Sequence, residues 1–426
     1  LLALFDTILL MVLSEKLDIR PLVPHAEGVD RPWLPDFAHG LNQMVRDPSR
    51  PLSAAWASSL LRSRLYDPQF TQLLDQFHAS NPDATASEMQ RRLLSAEQDT
   101  IFAAQANGDW PFKQYPSYRY ADMKMWGRCY AFIKKSPDYC ERYVRNVIER
   151  GLGTTIPQRT VVVRFLNRVL SHLIGDEPVW ANCGSGDMTP DKLVLLSNRR
   201  SEFAYDWVRV TDALGDLAIS EFKSDLFNEI VDEPNTIRRI VGLDRINPMD
   251  PDNLAWSRAC CAPEEHLQGS LDRLHARLLR VDVPPEQLVF RMADLTDRDS
   301  VRKVTGELGP FHAAAAIFSW YHGTAADRDN KLDNMRKELI MRRRFGRGRD
   351  GIIVIVDHAR AVRGGRYLVP DMVWKGPTVF VGYKGLLYPV LQGGNGRFGS
   401  VSVLPALVRL ARRGPYEREV RLLARS

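Results

Sequence analysis

The strongest constraint on the fold is a change of pattern near residue 206. Beyond it, short β-branched runs alternate with stretches whose apolar residues recur every three or four positions. The runs are Trp207–Thr211, Ile237–Leu243, Leu288–Met292, Ala313–Phe318 and Ile352–Val356. Strands that alternate with helices build βαβ units, and these form a parallel sheet covered by helices on both faces. The sequence therefore predicts an α/β fold with a mostly parallel sheet.

The region before this change has a different character. Residues 1–175 show helical spacing and no strand alternation. We predict a helical N-terminal domain over 1–175 and an α/β domain over 176–426. At the C-terminal end, Leu404–Arg412 is predicted to be a helix and Tyr416–Ala424 a final strand.

Bulk properties point to a soluble protein. The apolar start LLALFDTILLMVL has 13 residues, whereas a bilayer span needs roughly 20, so we expect a buried helix and no membrane segment. The five cysteines lack metal-type spacing, which favours reduced thiols, no metal site and a cytoplasmic location. A net charge of +6 is compatible with an anionic partner but does not require one.

Polar residues follow the predicted strands at the positions where ligands bind. In an open α/β sheet, ligands lie outside the carboxyl ends of the strands. Asp212 follows the first run, Asp244 ends the second, Asp294 follows the third, and FSWYHG begins at Phe318 in the fourth. Asp244 and Asp294 are alternatively N-caps of the helices that follow, a position that Asp favours.

This series resembles the first five strands of a class I S-adenosylmethionine-dependent methyltransferase, in the C-terminal half of the chain only. The resemblance implies a Rossmann-like fold and S-adenosyl-L-methionine as cofactor. It implies that Asp244, next to Arg245, binds the ribose and that Asp294 accepts the adenine amino group. The remaining implied cofactor contacts are Ala293, Leu295, Phe318 and Ser319.

The glycine loop of that family has two candidate positions. In the first, TDALGDLA supplies Thr211, Asp212, Ala213 and Gly215, which is fewer glycines than the family usually carries. In the second, the loop is ANCGSGDMT at 181–189, Trp207–Asp212 is the next strand, and Asp212 becomes the ribose ligand. The second stretch is alternatively a surface turn, or a loop that folds over the cofactor from outside the sheet.

We therefore expect a methyltransferase that acts on a small molecule by in-line displacement. Tyr321 and His322 are the catalytic candidates, in a pocket that also takes residues from the aromatic stretch 109–126 and is capped by the helical domain. The basic run MRRRFGRGR at 341–349 keeps an RNA methyltransferase open. A third alternative is an inactive binding protein of the same fold, and a homodimer is compatible with every alternative.

Overall fold

The chain divides into two compact units, and the structure, a computed structural model, describes most of each. Unit 1 comprises residues 1–153 and 255–268, and unit 2 comprises residues 154–254 and 269–426. The described residues are 31–48, 50–82, 84–112, 123–152, 160–186, 188–196, 225–233, 236–247, 250–261, 263, 283–317, 325–341, 350–358, 377–393 and 401–425. Within them, no helix is both long enough and apolar enough to cross a bilayer.

The described N-terminal region is helical, as predicted. Its helices are α1 (Leu34–Val45), α2 (Pro51–Arg62), α3 (Pro68–Ser80), α4 (Ala86–Ala106), α5 (Met123–Lys135) and α6 (Pro137–Glu149), with a 3₁₀ turn at Arg64–Tyr66. Asp67 and Thr85 cap α3 and α4, because their side chains accept hydrogen bonds from the backbone N–H groups of Gln69 and Glu88. Large buried side chains fill the core of unit 1, among them Trp56, Phe70 and Trp126.

A buried ion pair links the 3₁₀ turn to α4, and its hydrogen bonds reach α2 and α5. Arg64 Nη1 lies 2.5 Å from Glu97 Oε2, and the two side chains are 1% and 0% exposed. Trp56 Nε1 donates to the same carboxylate oxygen at 2.9 Å, and Arg64 Nη2 donates to the Trp126 carbonyl at 2.8 Å. The guanidinium also lies 4.5 Å from the Tyr130 ring centroid. Each charge is therefore compensated inside the helical core.

Unit 2 contains an eight-stranded sheet with helices. The strands are β1 (Val179–Cys183), β2 (Arg239–Asp244), β3 (Leu288–Met292), β4 (Ala313–Ile317), β5 (Ile352–His358), β6 (Pro377–Tyr383), β7 (Leu386–Gly393) and β8 (Val401–Val403). Their order is β3-β2-β1-β4-β5-β6-β7-β8. The first five pair in parallel and the last three antiparallel. The protein is thus α/β with a mostly parallel sheet, an arrangement compatible with a Rossmann-like fold.

Helices precede, connect and follow these strands. They are α7 (Thr160–Val169), α8 (Ser171–Ile174), α9 (Thr189–Leu196), α10 (Asp225–Asp232), α11 (Pro251–Ala259), α12 (Arg298–Leu308), α13 (Ala325–Asn334), α14 (Pro405–Leu410) and α15 (Glu417–Leu423). A π-helical turn, Met335–Leu339, extends α13. Two separate clusters of buried apolar residues pack against the sheet strands. The centre of the sheet is therefore buried.

The strand between β2 and β4 differs from the predicted one. We predicted Trp207–Thr211 for this position, but Val179–Cys183 occupies it and pairs with both neighbours. Its sequence, VWANC, has one β-branched residue, so local propensity gives little sign of a strand. Pairing with two buried neighbours overrides that weak propensity. Residues 207–215 lie outside the described part of the chain.

The C-terminal end also corrects a prediction. Glu417–Leu423 is a helix and not the predicted final strand. Val420 and Leu423, three residues apart, are buried on one face, and Arg421 pairs with Glu417 at 2.6 Å across one helical turn. A segment this short fits both helical and strand periodicity, and packing decides between them. The predicted helix before it is present as Pro405–Leu410.

We expect Glu97→Ala to lower the free energy of unfolding by about 3–5 kcal/mol, because it leaves the Arg64 charge buried without its partner. Arg50→Ala is the matched control: this side chain is 49% exposed and lies 3.9 Å from Asp47, so the change should cost no more than about 1 kcal/mol. Chemical denaturation of both variants measures the difference. Equal, small losses would contradict the stated role of the ion pair.

Candidate functional site

The carboxyl ends of β1, β2 and β3 lie side by side where the strand order reverses. β1 is flanked by β2 and β4, so the chain turns from one half of the sheet to the other at this point. In open α/β sheets, this switch point is the usual place for a ligand. The residues that leave these three strands are Gly184, Arg245 and Ala293. We therefore take this edge as the candidate site.

A glycine loop folds over the end of β2. Gly184 and Gly186 have φ angles of 78° and 53°, in the left-handed region that glycine enters without steric cost. The Gly184 N–H donates to the Leu243 carbonyl at 2.7 Å, which holds the loop onto the neighbouring strand. A Cβ at Gly186 would meet nothing within 4 Å. The loop is thus fixed on one side and open at Gly186.

The loop lies so close to β2 that a side chain in place of Gly242 would have to displace its neighbours. A Cβ at Gly242 would stand 2.9 Å from Ser185 Oγ and 2.8 Å from Met188 Cε. Met188 itself has a φ of 56°, which is uncommon for a residue with a side chain. Gly242 therefore sets how deeply the glycine loop can settle onto the sheet.

Asp244, the last residue of β2, meets this loop directly. Its Oδ2 accepts the Gly186 N–H at 3.4 Å, and its Oδ1 accepts the Arg245 N–H at 2.7 Å. Burial raises the pKa of the Asp244 carboxyl above its usual range, and the same backbone N–H groups oppose that shift. The site thus holds a carboxylate that is partly withdrawn from water and bound to backbone N–H groups.

Asp294 stands one strand further along the same edge. Its Oδ1 accepts the Thr296 N–H at 2.8 Å and the Thr296 hydroxyl at 2.7 Å, which fixes the carboxylate. Its Oδ2 lies 4.0 Å from Arg245 Nη1. The Asp244 and Asp294 carboxylates are therefore on adjacent strand ends, with Arg245 reaching from one to the other.

Apolar side chains accompany the two carboxylates. Met292 is the register partner of Asp244 and is 64% exposed, and Ile246, two residues after Asp244, is 52% exposed. Ala293 is buried and Leu295 is half-buried beside Asp294. Single apolar side chains are common on protein surfaces, but these two lie on the same edge as the carboxylates. The edge thus combines hydrogen-bond acceptors with exposed apolar area.

Sequence reasoning missed Lys331, which belongs to the same edge. Burial lowers the pKa of Lys331 to about 8, Arg245 acts in the same direction, and Asp327 and Asp294 oppose them. Its helix reads AADRDNKLDN. In so polar a stretch, a lysine has the pattern of a solvated helix face, so no sequence signal distinguishes it.

The structure brings some predicted residues together and leaves others undescribed. Asp244, Arg245, Ala293, Asp294 and Leu295 gather at one edge. The first candidate loop (Thr211, Asp212, Ala213 and Gly215) and the predicted residues Phe318, Ser319, Trp320, Tyr321 and His322 lie outside the described residues. The loop next to Asp244 is the second candidate, Gly184–Gly186. The sequence pairs this loop with Asp212 as the ribose ligand. In the structure, the Gly186 N–H of the loop instead donates to Asp244.

Comparison with known proteins gives no relative. No protein-family model matches the chain, and neither a curated protein nor a solved structure matches it. The geometry of this edge is therefore the basis for assigning a function.

We expect Gly242→Ala to lower the free energy of unfolding by about 1–3 kcal/mol, because the added methyl group overpacks the contact with Ser185 and Met188. Gly306→Ala is the control: its Cβ would meet nothing within 4 Å in the interior of α12, and alanine there should stabilise by about 0.5–1 kcal/mol. Thermal and chemical melts of both variants measure these changes. Stabilisation by Gly242→Ala would show that the loop does not lie tightly on β2.

Proposed function

We propose that this protein is an S-adenosylmethionine-dependent methyltransferase of the Rossmann-like type that acts on a small molecule. One observation carries the proposal: the glycine loop after β1 meets the Asp244 carboxylate through the Gly186 N–H, at the switch point of the sheet. A nucleoside site combines these two features. The glycine loop lets the ligand approach the backbone, and the acid accepts hydrogen bonds from the ribose of the ligand. The resemblance in strand order and in the positions of the two acids supports the same class.

The residues fit the ribose of the cofactor. A carboxylate offers about four lone-pair directions, and the backbone N–H groups of Arg245, Gly186 and Ile246 act on those of Asp244. The Gly186 contact is long, at 3.4 Å, so Oδ2 is the oxygen that can accept a ribose hydroxyl. The space above Gly186, which a Cβ would fill, lets the ligand come close to the backbone. Asp244 and Gly186 would therefore hold the sugar.

The neighbouring strand end fits the adenine. Asp294 is oriented by Thr296 through one of its oxygens, so its other oxygen can accept the adenine amino group. The exposed side chains of Met292 and Ile246 supply apolar surface for the ring faces. Burial of that surface against the base would add hydrophobic stabilisation. These residues distinguish a nucleoside from a small anion.

The bound cofactor would supply an electrophilic methyl group on a sulfonium. The task of the chain is then to bind and orient the cofactor, since methyl transfer depends mainly on proximity and in-line alignment. The acceptor residues Tyr321 and His322 stay predictions from the sequence. So does the preference for a small-molecule acceptor over RNA. A binding protein without turnover would use the same cofactor contacts, and an activity assay separates it from an enzyme.

We expect Asp244→Asn to weaken binding of S-adenosylhomocysteine by about tenfold or more, because the amide loses charge and one acceptor oxygen. Asp299→Asn, at a side chain that is 88% exposed, should change nothing. Calorimetry measures both affinities. A thermal melt at pH 7 checks that Asp244→Asn is folded, since its NH2 group would face one of the two backbone donors, Arg245 or Gly186, that the carboxylate accepts. Unchanged affinity in the folded Asn variant would remove Asp244 from the site.

We expect cofactor affinity to fall as the pH is lowered through the raised pKa of Asp244. The sign follows from linkage: the ligand needs the carboxylate ionised, and protonation removes it, at a higher pH than for an ordinary aspartic acid. Affinities for S-adenosylhomocysteine measured over mildly acidic pH test this. The Asp244→Asn variant should lack this part of the pH dependence. A profile shared by wild type and variant would assign the titration to another group.

A further inference from the structure

Helix α13 is tied to the loop that follows β3. Asn334 Nδ2 donates to the Leu295 carbonyl at 2.9 Å, so the end of the helix is fixed next to Asp294. Leu332 and Met335 are buried in the core cluster on that side of the sheet. Lys331 precedes Asn334 by three residues and therefore lies on the same helix face, about one turn away. The geometry thus points Lys331 along the loop that carries Asp294.

Charge interactions connect Lys331 to the candidate site. Asp294 and Arg245, which both belong to the site edge, act on the pKa of Lys331. Lys331 also acts on the Cys183 thiol at the end of β1, together with Asp244. A surface lysine usually extends its ammonium group into water. Lys331 is instead half-buried, at a cost in solvation.

We propose that Lys331 donates a hydrogen bond to a ring nitrogen of the adenine, next to the amino group that Asp294 accepts. The proposal rests on the proposed function and adds a specificity-determining residue to the same site. Together, the Asp294 carboxylate and the Lys331 ammonium present an acceptor and a donor side by side.

Adenine matches this pair, and its close analogue does not. The amino group of adenine, a donor, is flanked by N1 and N7, which are acceptors. Hypoxanthine replaces the amino group with a carbonyl oxygen, which would face the Asp294 carboxylate as a second acceptor. If Lys331 contacts N1, hypoxanthine also presents an N–H there, which would face the ammonium as a second donor; if Lys331 contacts N7, the mismatch at Asp294 alone discriminates. Lys331 and Asp294 would therefore select an adenine nucleoside over the inosine analogue.

A different role for Lys331 makes a different prediction. If Lys331 only neutralises Asp244 and Asp294, its loss changes affinity equally for every ligand that the site accepts. If it contacts a ring nitrogen, its loss removes discrimination at that atom alone. Ligands that lack single ring nitrogens separate the two roles.

Calorimetry with S-adenosylhomocysteine and its 1-deaza, 7-deaza and inosine analogues tests the proposal on wild type and Lys331→Met. We expect the wild type to bind one deaza analogue roughly tenfold more weakly than the parent compound. Lys331→Met should bind the parent compound about as weakly as the wild type binds that analogue. Its affinity should not fall further when the analogue replaces the parent compound. Lys303→Met, at an exposed position on α12, is the control and should behave as the wild type.

The outcomes separate the two proposals. Wild type that binds no S-adenosylhomocysteine contradicts the proposed function itself. If the wild type binds S-adenosylhomocysteine but Lys331→Met loses as much affinity for the deaza analogue as the wild type does, only the role of Lys331 is overturned. Equal affinities of wild type and Lys331→Met for the parent compound overturn that role as well. A thermal melt of each variant confirms that it is folded before titration.

Discussion

The hydrogen bond from the Gly184 N–H to the Leu243 carbonyl, at 2.7 Å, is the contact on which the candidate site depends. It joins the loop after β1 to the neighbouring strand, where Gly242 leaves room for the side chains of Ser185 and Met188. With the loop in this place, the Gly186 N–H reaches the Asp244 carboxylate. The candidate site is therefore a consequence of close packing between two parallel strands.

Burial destabilises the charged forms of Asp244 and Lys331. It raises the pKa of Asp244 and lowers that of Lys331, so each group is less stable in its charged form than it would be in water. A chain selected for stability alone has no reason to bury Asp244 at a strand end and to half-bury Lys331 on α13. Together with the exposed side chains of Met292 and Ile246, these groups favour a binding role for this edge. Arg64 and Glu97 differ, since they form an ion pair within the helical core.

The sequence predicted those parts of the fold whose signal is local. The strands β2, β3, β4 and β5 lie at the predicted runs. IVGLD and IIVIV are apolar and contain several β-branched residues, whereas LVFRM and AAAAI are short apolar runs between helical stretches. Their carboxyl ends then placed Asp244 and Asp294 at one edge. β1 was missed because VWANC is a strand through its pairing with β2 and β4, which lie about 60 and 130 positions away along the chain. The GSG stretch was recognised as a glycine loop, but its partner Asp244 depends on that same distant pairing. Lys331 is recognisable only once the fold brings α13 beside the loop after β3.

The most direct test of the nucleoside site is the structure of the protein with S-adenosylhomocysteine bound. The account predicts the ribose hydroxyls on Asp244, the ligand against the open side of Gly186, and the adenine amino group on Asp294. A ligand seated away from the ends of β1 and β2, with Asp244 making only its contacts to Gly186 and Arg245, would contradict it.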